Sequence, residues 1–156
     1  LMCFDAESAA APWLTLGATR LTFHAEATTD LPHLLAAARR RYGSVVSFGI
    51  AINIASDLAL IEPCLDEISY VQFMGIAKIG RQGQPFDRRV FEKLRVFRNR
   101  HPDILVQVDG GISLTPARQL VALGVTTLVI GSGILKAGKP AEALAEFDAL
   151  EGSYGV

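Results

Sequence analysis

Ile104-Leu105-Val106-Gln107-Val108-Asp109-Gly110-Gly111 reads as a buried strand that stops at an acid and two glycines, and Thr126-Thr127-Leu128-Val129-Ile130-Gly131-Ser132-Gly133 repeats that plan further along. Short runs rich in Val, Ile and Phe, without clean polar alternation, are the signature of strands covered on both faces, as in a parallel sheet. The same kind of run recurs upstream, so strands are expected at 20–23, 45–52, 68–75, 104–108 and 126–130. Helical patterns lie between them. Residues 31–42 place Leu31, Leu34, Leu35 and Ala38 on one stripe ahead of Arg39-Arg40-Arg41, and Gly43 follows as a stop. A helix over 57–65 opens on Asp57 and is shortened or kinked by Pro63. Further patterns occupy 87–100, 114–123 and 140–150, the last with Pro140 in its first turn. This alternation predicts βαβ units, an α/β class and one domain over 1–156. Leu1-Met2-Cys3-Phe4 reads as a further strand entered midway, and the chain as a piece of a longer one.

Composition bounds the partners. The chain has 156 residues, half of them apolar, with 15 Lys and Arg against 16 Asp and Glu, for a formal charge of −1. A balanced charge lacks the electrostatic footprint of a nucleic-acid or acidic-membrane binder, so neither partner is expected. Charged residues interrupt every apolar stretch before it is long enough to span a bilayer. Residues 1–13 contain Asp5 and Glu7 but no Lys or Arg, unlike the basic start of a signal peptide. Cys3 and Cys64 stand far apart with no metal-type spacing, which suits a reducing cytoplasm.

Chemistry is expected where the apolar runs end, because α/β folds place ligands at the carboxyl ends of their strands. His24-Ala25-Glu26 follows the first run, Asn53 the second, Gly80-Arg81-Gln82-Gly83-Gln84 the third, Asp109-Gly110-Gly111 the fourth and Gly131-Ser132-Gly133 the fifth. Glycines after successive late strands let backbone N–H groups approach a phosphate, and a short helix is expected to open after Gly131-Ser132. Tight turns are the alternative reading of the same glycines. An acid at the end of an apolar strand must be paired, metal-bound or functional, and Asp109 stands in that position. His24 is either a satisfied core histidine or a substrate contact, while His33 and His101 read as surface residues. The glycines at 80 and 83 open no helix and no Lys-Ser/Thr pair follows them, which disfavours a nucleotide.

Thr22-Phe23-His24-Ala25-Glu26-Ala27, Val108-Asp109-Gly110-Gly111-Ile112 and Gly131-Ser132-Gly133-Ile134, in that order, resemble the ribulose-phosphate 3-epimerase family. Gly49-Ile50-Ala51-Ile52-Asn53 is similar to the family's Gly-x-Ala-x-Asn strand, and Phe73-Met74-Gly75-Ile76 with the following Gly-Gln loop is similar to its Met-bearing strand. The resemblance implies a (β/α)8 TIM-type barrel, with about six of its eight units in this chain. It also implies interconversion of D-ribulose 5-phosphate and D-xylulose 5-phosphate through an enediolate. One Asp would take the C3 proton, a divalent metal ion (Zn, Fe, Mn or Co) would hold the enediolate, and a second Asp would reprotonate the opposite face. Carried over, Asp109 is an acid/base and a metal ligand. Gly110, Gly111, Gly131 and Ser132 bind the phosphate with Gly80 and Gly83 beside them, Met74 lines the enediolate, and His24 is a wall residue.

The chain departs from the family in two places. Its loop Ala77-Lys78-Ile79-Gly80-Arg81-Gln82-Gly83-Gln84 lacks the family's Pro before the first Gly, with Arg81 or Lys78 as charged replacements. The strands that bring the family's second Asp and its other metal ligands have no counterpart here, so part of the active site is expected to be missing and turnover to be low. The expected ligand is a small sugar phosphate, and open sheet edges make a homo-oligomer possible. Two other readings stand beside the epimerase: another phosphosugar barrel enzyme, such as a decarboxylase whose Asp-x-Lys-x-x-Asp strand is not found, and a phosphosugar-binding protein without catalysis.

Overall fold

The computed structural model describes residues 1–3 and 5–150. Five strands, β1 (Arg20–His24), β2 (Ser47–Ile52), β3 (Tyr70–Met74), β4 (Leu105–Asp109) and β5 (Thr127–Val129), form one sheet in the order β1-β2-β3-β4-β5. Every neighbouring pair is parallel. A strand order that follows the chain without reversal is singly wound, the topology of a barrel wall; a doubly wound sheet would reverse direction at a switch point.

The helices are α1 (Ala6–Thr15), α2 (Leu31–Tyr42), α3 (Arg89–Arg100), α4 (Leu114–Ala122), α5 (Ser132–Leu135) and α6 (Pro140–Asp148). α2 has the bounds its periodicity demands: Asp30 caps it by accepting from the His33 N–H, and Gly43 ends it at φ 57°. Two expectations fail. Residues 57–65 form no α-helix but two 3-10 turns, Leu58–Leu60 and Glu62–Glu67, because Asp57 caps the Ala59 N–H in a tight turn and Pro63 lacks the N–H a longer helix needs. Leu1–Cys3 are not a strand, and Phe4 lies outside the described residues. Asp5 accepts from the Ser8 N–H and draws the chain into α1 instead, leaving Leu1 to donate its amino group to the Thr22 carbonyl of β1. The described residues therefore hold five strands with their following segments, and α1 ahead of them stands where the helix of a further β/α unit would.

Because strand side chains alternate between faces and register partners share a face, the sheet sorts its residues cleanly. One face carries Phe23, Phe48, Ile50, Val71, Phe73, Val106 and Val108, all buried with Leu35, Leu94, Phe97 and Leu120 of the helices. The Phe23 and Phe48 rings stack 6.0 Å apart, and Phe73 meets Phe97 of α3 edge-on at 5.3 Å. The opposite face, the inside of the barrel wall, is largely polar: Arg20, Thr22, Tyr70, Gln72, Gln107 and Asp109. Two helix arginines pin the turns between elements. Arg39 donates to the carbonyls of Gly43, Val46 and Glu67, and Arg98 to those of Pro102, Ile104 and Gly124.

Gly49 of β2 is opposite Tyr70 in register, and the Tyr70 ring occupies the space a side chain would need: a Cβ at 49 would sit 2.3 Å from it. The ring is held there by the Arg20 guanidinium, 3.9 Å from its centroid, and by a 2.5 Å bond between its hydroxyl and Thr22 Oγ1. Gly49→Ala is therefore expected to destabilise the fold by about 1–3 kcal/mol through overpacking. Urea unfolding of the variant beside the parent chain measures it, and equal midpoints would show that the ring is free to move.

Candidate active site

Asp109 ends β4 beside Met74 of β3 and Val129 of β5, so the acid is fixed by the parallel register rather than by a loop. The chain then turns through Gly110 and Gly111 at φ 110° and 69°, the left-handed region that side chains other than glycine rarely tolerate. The Gly75 N–H donates to the Asp109 carbonyl at 2.7 Å, and a Cβ at Gly75 would lie 2.4 Å from the Gly110 carbonyl oxygen. The turn after β5 packs onto the same place: a Cβ at Gly133 would lie 2.6 Å from the Ile112 carbonyl oxygen. The glycine turns after β4 and β5 are thus in contact. The short helix expected after Gly131 is α5.

The loop from β3 is shaped by one side chain. Gln84 folds back to donate to the carbonyls of Lys78 and Arg81, and accepts from the Lys78 N–H at 3.1 Å. Together these segments enclose a cleft of about 390 Å³, lined among others by Met74, Gly80, Gly83, Asp109, Gly110, Gly111, Gly131 and Ser132. Arg81 and Lys136 line it too, and Asp109 is its only carboxylate among the described residues. Burial pushes the Asp109 carboxyl above its ordinary range, opposed by the positive charge His24 carries when protonated. The Gln72 amide stands 3.4 Å from its Oδ2.

His24 lines an adjoining cleft of about 460 Å³ with Glu26 and Asn53, and Met2, Ile79 and Gly80 border both clefts. Its ring is buried, with Nδ1 3.8 Å from Glu26 Oε2. Glu26 accepts from the Asn53 N–H at 2.9 Å and the Ser56 hydroxyl at 2.6 Å. Burial acts to raise its pKa, but the His24 ring, Ser56 and the Asn53 N–H outweigh that and hold the carboxyl at about 2. Lys93 of α3 donates to the Asn53 carbonyl at 2.6 Å and to that of Ser56, tying the end of β2 to the helix layer. Sequence reading missed Lys93, although a lysine on the buried side of α3, beside Val90 and Leu94, was a visible signal.

Among the described residues no three His, Cys, Asp or Glu side chains come together to hold a metal ion. Asp109 offers one oxygen-bearing group, whereas a divalent transition metal takes three or four protein donors. The described residues do not make a metal site by themselves. Among them, no helix is long and apolar enough to cross a membrane.

Residues 1–135 match the model of the ribulose-phosphate 3-epimerase family. A ribulose-phosphate 3-epimerase of Buchnera aphidicola is 32% identical over 124 residues, covering 77% of this chain and 53% of its own length. One from Mycobacterium tuberculosis is 34% identical over 151 residues, covering 93% of this chain and 63% of its own length. The chain thus spans about half to two thirds of the length of these curated relatives. Among solved structures, KGPDC from Streptococcus mutans, crystallised as a ligand complex, superposes with a TM-score of 0.75 at 21% identity, over 98% of this chain and 71% of that one. A 3-hexulose-6-phosphate synthase from Salmonella typhimurium gives 0.75 at 16% identity with the same coverage. At these identities the two structures speak for the barrel fold alone.

A carboxylate held near 2 stabilises the folded state above its ordinary value of 4.5, and that contribution is lost as pH falls from there towards 2. Glu26→Gln is expected to flatten the pH dependence of unfolding in this acid window while lowering stability at neutral pH. Thermal melts from pH 7 to 2.5 check it; parallel curves for the two proteins would remove Glu26 from the acid response.

Proposed function

This chain belongs to the ribulose-phosphate 3-epimerase family, and we propose that it binds a ketopentose 5-phosphate in the Asp109 cleft and exchanges the proton at C3. The observation that carries the reading is the contact between the glycine turns after β4 and β5, beside the one carboxylate that lines the cleft among the described residues. Backbone N–H groups of Gly110, Gly111, Gly131 and Ser132 converge on a single dianion there, as glycine turns at adjacent strand ends can. Arg81 adds positive charge at the rim from the loop that lacks the family's Pro, and Lys136 adds another from the end of α5, while Lys78, the other replacement expected, does not line the cleft. Gly80 and Gly83, at φ 80° and 73°, shape that rim.

With the phosphate fixed, the sugar's C2 and C3 lie over Asp109. Burial favours the protonated acid, so Asp109 is a stronger base than a solvated aspartate once ionised, which suits it to remove a carbon-bound proton. Met74 supplies a soft apolar wall that keeps water from the enediolate. The return proton must reach the opposite face of the enediolate, and Asp109 cannot serve both faces. The described residues thus account for binding and one proton transfer, and the metal of the family reading would need ligands besides Asp109. The lone carboxylate also favours a second reading, a phosphosugar-binding protein without turnover.

Two variants test this. Gly131→Asp puts a carboxylate into open space at the phosphate position and is expected to abolish binding of ribulose 5-phosphate by calorimetry. Asp109→Asn is expected to keep that binding but slow exchange of the C3 hydrogen with D2O, followed by proton NMR, by about 10²–10⁴-fold. Binding unchanged by Gly131→Asp contradicts the phosphate assignment. Binding with no C3 exchange in the parent chain selects the non-catalytic reading.

A further inference from the structure

The inside face of the sheet carries a line of polar side chains that the cleft does not require for binding. Arg20 of β1 donates from Nη2 to Gln107 Oε1 at 3.0 Å; Gln107 donates from Nε2 to Gln72 Oε1 at 2.5 Å; Gln72 presents Nε2 to Asp109 Oδ2 and to Met74 Sδ, each at 3.4 Å. Gln72 and Gln107 are register partners on β3 and β4, as are Met74 and Asp109 one step further on. Both amides are buried, at 7% and 8% exposure, so each needs its partners inside the protein.

We propose that Arg20, Gln107 and Gln72 form a one-way donor ladder that positions the Asp109 carboxylate, with Gln72 as the positioning residue. The direction follows from donor chemistry. A guanidinium has donors and no acceptor, so the atom Gln107 turns towards Arg20 must be its carbonyl oxygen. The amide nitrogen of Gln107 then faces Gln72, whose carbonyl must accept it, and the nitrogen of Gln72 is left facing Asp109. An amide by itself turns end for end at little cost, because oxygen and nitrogen have nearly the same shape. Here a reversed Gln72 would set its carbonyl against the Asp109 carboxylate and its nitrogen against the Gln107 donor. The ladder thereby ties down Oδ2 and leaves Oδ1 for proton transfer. Arg20, stacked 3.9 Å over the Tyr70 ring at the far end of the strands, is the fixed anchor.

The proposal rests on Asp109 as the base, and its test separates the two. The primary readout is solvent exchange of the Gln72 side-chain amide, followed by ¹⁵N NMR in the full chain. Arg20→Met removes the donor that sets the direction and is expected to speed that exchange about tenfold or more, since a loosened buried group opens more often. Arg20→Lys, also a pure donor, is expected to restore it. In the C3 exchange assay, Arg20→Met and Gln72→Leu are expected to lower the maximal rate about three- to tenfold with KM unchanged, the mark of a misplaced group rather than weakened binding. Unchanged amide exchange and unchanged rate in Arg20→Met, with a native circular dichroism spectrum, overturn the ladder. Failure of Arg20→Lys to restore the exchange does so too. If Gln72→Leu does not fold, Arg20→Met decides alone. An Asp109→Asn variant with full C3 exchange would sink the base assignment, while the amide measurement would still decide the ladder.

Discussion

At Gly75 and Gly110 the ends of β3 and β4 touch backbone to backbone, closer than any Cβ permits, and the Gly75 N–H is bonded to the Asp109 carbonyl. Most of the site hangs on this approach. It sets the height at which β4 stops, brings the loop from β3 back across the strand end, where the Asp87 N–H reaches the Gly75 carbonyl at 2.8 Å, and leaves Gly111 against the Phe86 backbone. The turn after β5 is seated on the same platform through Gly133 and Ile112. A carboxylate and two glycine turns are therefore placed by main-chain packing, which side-chain motion cannot relax.

The two faces of the sheet solve different problems. The helix side is an apolar layer of Phe, Ile, Val and Leu, and supplies the burial that holds the fold. The inner side holds Tyr70, Gln72 and Gln107, whose burial costs free energy unless each polar atom is matched, with the exposed Arg20 at the end of the line. Matching is achieved in register, amide to amide and hydroxyl to hydroxyl, so that the interior specifies one arrangement rather than a looser apolar packing.

Much of this was legible in the sequence. The strands and most helices could be read from apolar runs, as could the position of Asp109 and the paired glycines at strand ends, where β/α folds put their ligands. What escaped has physical causes. Pro63 and the Asp57 cap favour 3-10 turns over the helix that periodicity suggested, and Asp5 starts a helix where an apolar run suggested a strand. The strand end that bears His24 opens on a cleft that shares Met2, Ile79 and Gly80 with the Asp109 cleft, a neighbourhood that strand-end position alone does not reveal. The ladder was hidden for a different reason. Tyr70-Val71-Gln72-Phe73-Met74 and Leu105-Val106-Gln107-Val108-Asp109 look like buried strands with an incidental Gln, and only the register aligns the two amides.

The central claim is that one cleft, built on the glycine turns after β4 and β5, takes the sugar phosphate. Backbone amide shifts in ¹H–¹⁵N NMR during titration with ribulose 5-phosphate test it most directly. The account predicts the largest changes at Gly110, Gly111, Gly131 and Ser132, with little at His24, Glu26 and Asn53. Changes concentrated on those last three residues, or spread evenly over the surface, would contradict it.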